Sequence, residues 1–128
     1  MRFLTREKID RIHARSLEAY GGLAGLRDPD GLESALGQPE ILYHYGEEDV
    51  FMLAAAYAFH LAQSQAYVDG NKRTGAASSL LFLEINGVST TGANDPMWIA
   101  VALLEVARGE LDRSGLGERF REHLAPSP

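Results

Sequence analysis

Apolar positions recur at three- and four-residue spacing along most of this chain. After Thr5, the residues Ile9, Ile12, His13 and Leu17 share one helical face up to Tyr20, which predicts an amphipathic helix capped by the Thr5 hydroxyl. Gly21-Gly22 ends it and Gly25 extends the connection. Asp28-Pro29 then joins a capping carboxylate to the proline favoured in a first helical turn. A short helix turns Leu32, Ala35 and Leu36 inward and is predicted to break at Gln38-Pro39. Residues 41–46, aromatic and without helical period, read as an extended loop. Residues 50–61 are apolar nearly all round, the pattern of a buried central helix, and Glu47-Glu48-Asp49 places negative charge at its start. A second apolar helix is predicted over residues 75–86, opening on small residues and closing at Asn86-Gly87. Residues 90–94 read as a loop, and Asp95-Pro96 as the opening of a helix that carries Trp98, Ile99, Leu103 and Val106 to Gly109. Residues 114–124 place Leu116, Phe120 and Leu124 at helical spacing, and Pro126-Ser127-Pro128 is expected to fray. No stretch alternates as a strand does and none repeats. The predicted class is all-α, with a single domain over residues 1–128.

Composition narrows the function classes. A chain of 128 residues has the size of one domain. Its hydrophobic share of 45% and charged share of 23% are ordinary for a globular protein. The formal charge of -6 argues against non-specific nucleic-acid binding, which needs a basic face. There is no cysteine, so thiolate metal sites and disulfides are excluded. No apolar run approaches the roughly 20 residues of a membrane span. The expectation is a cytoplasmic protein that contacts neither membrane nor nucleic acid.

Between the two apolar helices lies Gln65-Ala66-Tyr67-Val68-Asp69-Gly70-Asn71-Lys72-Arg73-Thr74. Gly70 lets backbone approach a ligand, and the N–H groups that open the following helix have no intrahelical acceptor. Lys72 and Arg73 add positive charge at the positive end of a helix dipole, an arrangement that an arriving phosphate relieves. Asp69 has the chemistry to hold Mg²⁺, which characteristically bridges one or two carboxylates to substrate phosphates. The simpler reading is that Asp69 caps the helix while Lys72 and Arg73 are solvated. All four histidines stand outside this stretch, and two of them, His13 and His60, lie on predicted helices that could reach it. His13 has no companion ligand at metal spacing and reads as a helix-face residue. His60 precedes Gln65 by five residues, about 140° away around a helix, and reads as a core residue.

The segment from Val68 to Thr74, preceded by Tyr67 and followed by Leu80-Leu81-Phe82-Leu83-Glu84-Ile85-Asn86-Gly87, closely resembles the signature of the Fic/Doc family. Its death-on-curing (Doc) branch carries His-Pro-Phe-x-Asp-(Ala/Gly)-Asn-Lys-Arg-Thr and its Fic branch His-x-Phe-x-x-Gly-Asn-Gly-Arg, and Lys72 goes with Doc. Residues 22–36 resemble the same branch, and the resemblance extends over essentially the whole chain. It implies the Fido fold, about six helices with the motif between the central two. It also implies transfer of a phosphate-containing group from a nucleotide to a protein hydroxyl. Doc acts as a kinase on a threonine of translation elongation factor Tu, Fic as a nucleotidyltransferase. Carried over, Asp69 would help position Mg²⁺, and Gly70, Asn71, Lys72 and Arg73 would hold the phosphates of ATP or another nucleoside triphosphate. Tyr43, His44 and Tyr45 would lie in the flap that docks the target. The partner implied is an antitoxin whose C-terminal segment folds into a surface groove.

One departure stands out. The family's histidine falls on Gln65, its proline on Ala66 and its phenylalanine on Tyr67. A carboxamide has no lone pair basic enough to take a proton near neutral pH. A general base is typically worth about 10²- to 10⁴-fold, whereas phosphoryl transfer rests chiefly on positioning and charge stabilisation. The expectation is therefore an attenuated toxin, or one using another base such as His44 in the flap. The alternatives are a non-catalytic Fido domain that binds nucleotide or a protein partner, and a Fic-type nucleotidyltransferase.

Overall fold

The computed structural model describes residues 1–91 and 97–125. The described residues form six helices: α1 (Arg6–Tyr20), α2 (Pro29–His44), α3 (Val50–Ser64), α4 (Asn71–Ile85), α5 (Met97–Ala107) and α6 (Arg113–Leu124). No strand occurs among them, and the predicted all-α class holds. The residues expected to open α5, Asp95-Pro96, and the tail Pro126-Ser127-Pro128 lie outside the described residues.

Side chains cap most of the helix starts. Thr5 Oγ1 accepts from the N–H of Lys8, Asp28 from Gly31, Asp49 from Phe51 and Asp112 from Gly115, each satisfying a donor that the helix leaves over. Helix α4 differs: its cap is Gly70, which has no side chain to offer.

Helix α3 is the core. Phe51, Leu53, Tyr57 and Leu61 are buried along it, and the small residues Ala54, Ala55, Ala58 and Ala62 let neighbours come close. Helices α2, α4 and α6 pack around it. Tyr57 is fully buried, and its hydroxyl accepts from the N–H of Leu4 at 2.9 Å. Burial pushes the phenol up to about 12. Trp98 is only half-buried, set edge-on to Phe120 at 5.0 Å and stacked on His123 at 4.4 Å.

The helix expected to stop at Gln38-Pro39 does not stop there. α2 continues through Pro39 to His44. Proline removes one i→i−4 hydrogen bond, but the Pro39 ring is fully buried, and Ala35 and Leu36 beside it belong to the core. That burial outweighs the lost bond. Ile41, Leu42, Tyr43 and His44 are therefore the last turn of a helix and not an extended loop.

The α2–α3 connection spans only residues 45–49, so the two helices run antiparallel. Asp28, at the start of α2, donates its N–H to Ala66 O just beyond the end of α3. One end of this helix pair thus carries the segment from Gln65 to Arg73, and the opposite end carries Tyr43 to Tyr45.

Candidate active site

The turn between α3 and α4 is assembled from two distant stretches of chain. Gln65 takes the left-handed conformation (φ 48°, ψ 35°), alone among the described non-glycine residues, and redirects the chain at the end of α3. Ala66 and Tyr67 then run beside residues 25–28. Ala66 O accepts from Arg27 at 2.7 Å and Asp28 at 3.0 Å, Val68 donates to Gly25 O at 3.0 Å, and Leu26 and Tyr67 form an isolated antiparallel bridge. Tyr67 is buried, its ring stacked 3.7 Å from that of His13 and its hydroxyl donating to Asp10 Oδ1 at 2.6 Å. Burial, and the carboxylate of Asp10, push the Tyr67 phenol well above its ordinary value. Asn71 closes the turn: its Oδ1 accepts from Tyr67 N–H at 3.0 Å and its Nδ2 donates to Tyr67 O at 2.9 Å.

Gly70 (φ 79°) carries the chain from this turn into α4, leaving the N–H groups of Asn71, Lys72 and Arg73 without intrahelical acceptors. Asp69 stands beside them. Its Oδ2 accepts from Leu23 N–H at 3.2 Å and its Oδ1 from Gly70 N–H at 2.9 Å. These two backbone donors, Leu23 first, hold the carboxyl below the usual carboxylate range. Gly22 (φ 117°) is required beside it, since a Cβ there would lie 2.7 Å from Asp69 Oδ2. Asp69 is therefore not the side-chain cap of α4. Its carboxylate is ionised, fixed by two donors and turned to the same space as the free N–H groups.

That space is an open cleft of ≈ 410 Å³ lined by Ala62, Gln65, Val68, Asp69, Gly70, Asn71, Lys72 and Arg73. Lys72 is exposed and, among the described residues, makes no hydrogen bond or ion pair. Arg73 rests against the α1 terminus, with its Nη2 donating to Gly21 O at 3.3 Å and its guanidinium 5.3 Å from the Tyr20 ring centre. Gln65 is exposed at the rim. No group of three His, Cys, Asp or Glu suited to a metal occurs among the described residues. A lone carboxylate beside unpaired helix N–H groups would fit Mg²⁺ carried in on a nucleotide and does not fit an all-protein metal cage.

The structure brings Gln65, Asp69, Gly70, Asn71, Lys72 and Arg73 together as the sequence pattern implied. Asn71 differs in detail: its side chain is spent on Tyr67, so it presents its backbone N–H to the cleft. Tyr43, His44 and Tyr45 are not there. Helix α2 starts against Ala66 and ends fifteen residues later, so His44 stands about 22 Å along the axis from the turn. Tyr45 is 89% exposed and Tyr43 packs edge-on to Phe3. These residues form no flap over the cleft, and His44 is out of reach as a substitute base. His60 also points elsewhere, accepting from Arg113 Nη1 at 3.3 Å beside a separate hollow between α2 and α3. Sequence reasoning missed Asp10, His13 and Leu23, which hold the turn. The cluster Gly21, Gly22 and Gly25, each at positive φ, was the available signal that residues 21–28 follow a special course.

The domain is all-helical among the described residues, with an open cleft at the start of α4 flanked by a fixed carboxylate. A family model described as Fic/DOC family matches residues 3–83. The chain is 32% identical over 122 residues to "Protein kinase doc" of Escherichia phage P1, spanning 94% of each. It is 37% identical over 113 residues to "Toxin Doc" of Mycolicibacterium smegmatis, spanning 86% of this chain and 84% of that relative. The chain belongs to the Fic/DOC family. No described helix is long and apolar enough to cross a membrane.

Proposed function

We propose that this protein is a Doc-like toxin that transfers a phosphoryl group from ATP or another nucleoside triphosphate to a protein hydroxyl, at a rate limited by Gln65. The observation that carries the reading is the convergence of the Asp69 carboxylate with the free N–H groups of Asn71, Lys72 and Arg73 and the unpaired Lys72 ammonium. The α4 N–H groups and Lys72 would bind phosphate oxygens, and Asp69 would orient a Mg²⁺-bearing nucleotide. Mg²⁺, when bound, supplies neutralisation of the charge shared between the bridging phosphates. Of the described residues lining the cleft, Asp69 is the sole basic group ionised in the right sense, and its lowered pKa makes it a weak base. Gln65 would orient the accepting hydroxyl without taking its proton.

The names of its relatives, a protein kinase and a toxin, support the toxin reading; the family resemblance adds an antitoxin as partner, a translation factor such as elongation factor Tu as target, and action in the cytoplasm. Absence of an imidazole from the cleft supports a second reading, a non-catalytic domain that binds nucleotide or a partner. One experiment separates the two. Purified wild type and Gln65→His are incubated with elongation factor Tu, Mg²⁺ and radiolabelled ATP. Transfer that is weak in the wild type and rises about 10²-fold or more in Gln65→His is expected. Equal binding of Mg²⁺-ATP by both, with no transfer by either, would establish the binding-domain reading instead.

A further inference from the structure

We propose that His13, a residue of α1 far from the motif in sequence, positions the Asp69 backbone and thereby sets the affinity of the cleft. This rests on the nucleotide-binding reading above. His13 Nε2 lies 2.8 Å from Asp69 O. A carbonyl only accepts, so Nε2 carries the hydrogen and donates it. The ring is 6% exposed and lies nearly parallel to Tyr67, at an interplanar angle of 8°. It also underlies Gly70, where a Cβ would stand 3.6 Å from it. One imidazole therefore supports three parts of the turn: the Tyr67 ring, the Asp69 carbonyl and the Gly70 backbone.

This support acts where direction matters most. The Asp69 peptide joins a residue that lines the cleft to the glycine that caps α4. With its carbonyl held down by His13, the same peptide plane directs the Gly70 N–H to Asp69 Oδ1 at 2.9 Å. Release of the carbonyl frees rotation of that plane, which moves the carboxylate and the first free N–H of α4 together. Asp10 holds the assembly from the other side through the Tyr67 hydroxyl. His13 touches neither nucleotide nor acceptor in this arrangement, and it is a positioning residue.

Two variants divide its functions. His13→Phe keeps a flat ring on Tyr67 but has no donor, whereas His13→Gln keeps an N–H at similar reach without the ring. Calorimetric titration with Mg²⁺-ATP is expected to show about tenfold weaker binding in His13→Phe, with recovery of most of the affinity in His13→Gln. Amide hydrogen exchange is expected to quicken at residues 68–71 in His13→Phe alone, with the interior amides of α3 unchanged. Wild-type affinity and unaltered protection in His13→Phe would overturn the proposal, as would equal loss in both variants tracking their melting temperatures. A wild type that binds no Mg²⁺-ATP would remove the functional reading by itself. The exchange rates at residues 68–71 then decide the role of His13, faster in His13→Phe supporting it and unchanged rejecting it.

Discussion

Gly75 of α4 lies directly on the carbonyl of Ala58 in α3: a Cβ built on Gly75 would stand 2.8 Å from Ala58 O, closer than real side chains approach. The two central helices touch backbone to backbone there, one turn below the cleft. Their separation fixes how far the α4 start projects.

Gly75→Ala is therefore expected to destabilise the protein by about 1–3 kcal/mol through overpacking. Its intrinsic helix propensity pulls the other way by about 1 kcal/mol. Urea unfolding measures the balance, and a net gain in stability would show that α3 and α4 separate readily.

Asn71→Ala removes both hydrogen bonds that tie the α4 start to Tyr67. It leaves a half-buried peptide unit short of partners, a loss of about 1–3 kcal/mol. With the Asn71 side chain committed to Tyr67, Mg²⁺-nucleotide binding should weaken indirectly, through the displaced α4 start. Unchanged stability with weakened binding would instead make that amide a direct ligand.

Gln65 sits in a backbone conformation that costs an L-residue roughly 1–2 kcal/mol. Gln65→Gly relieves it but makes the unfolded chain more flexible, so the expected net gain is only about 0.5 kcal/mol. Gln65→Val, β-branched at positive φ, should lower stability by about 1 kcal/mol or more. Thermal melts of the two variants are expected to move in opposite directions, and parallel shifts would contradict the strain.

His60 supplies the pH dependence. Burial first, and the Arg113 guanidinium second, hold its pKa below the ordinary 6.5. The unfolded chain therefore binds the proton more readily than the folded one. Stability is fully present above 6.5 and is lost as pH falls from there toward the folded pKa. Urea midpoints taken from pH 7.5 down to pH 5 should fall in the wild type and flatten in His60→Gln over that window.

Much of this architecture was legible from periodicity and caps. Thr5, Asp28 and the apolar run of α3 announced their helices, because local hydrogen bonding and burial act in the same direction there. Pro39 misled because its local penalty is smaller than the burial it gains, and burial is not written in the proline itself. That error carried Tyr43, His44 and Tyr45 into the wrong place. The cleft residues were legible as a group because they are contiguous. Asp10, His13 and Leu23 were not, since nothing about an isolated carboxylate, imidazole or leucine on α1 and its following loop tells which turn it will meet.

The Gln65 side chain is exposed and, among the described residues, forms no hydrogen bond. What shapes the turn is the backbone of that residue together with the contacts of Ala66, Tyr67 and Asn71. On the reading that position 65 is the family's histidine position, chemistry and architecture there are inherited separately. Glutamine and histidine codons differ only in their third base. A single point mutation at codon 65 would then exchange an imidazole for a carboxamide at an exposed side chain, while the contacts of Ala66, Tyr67 and Asn71 that build the turn stay in place.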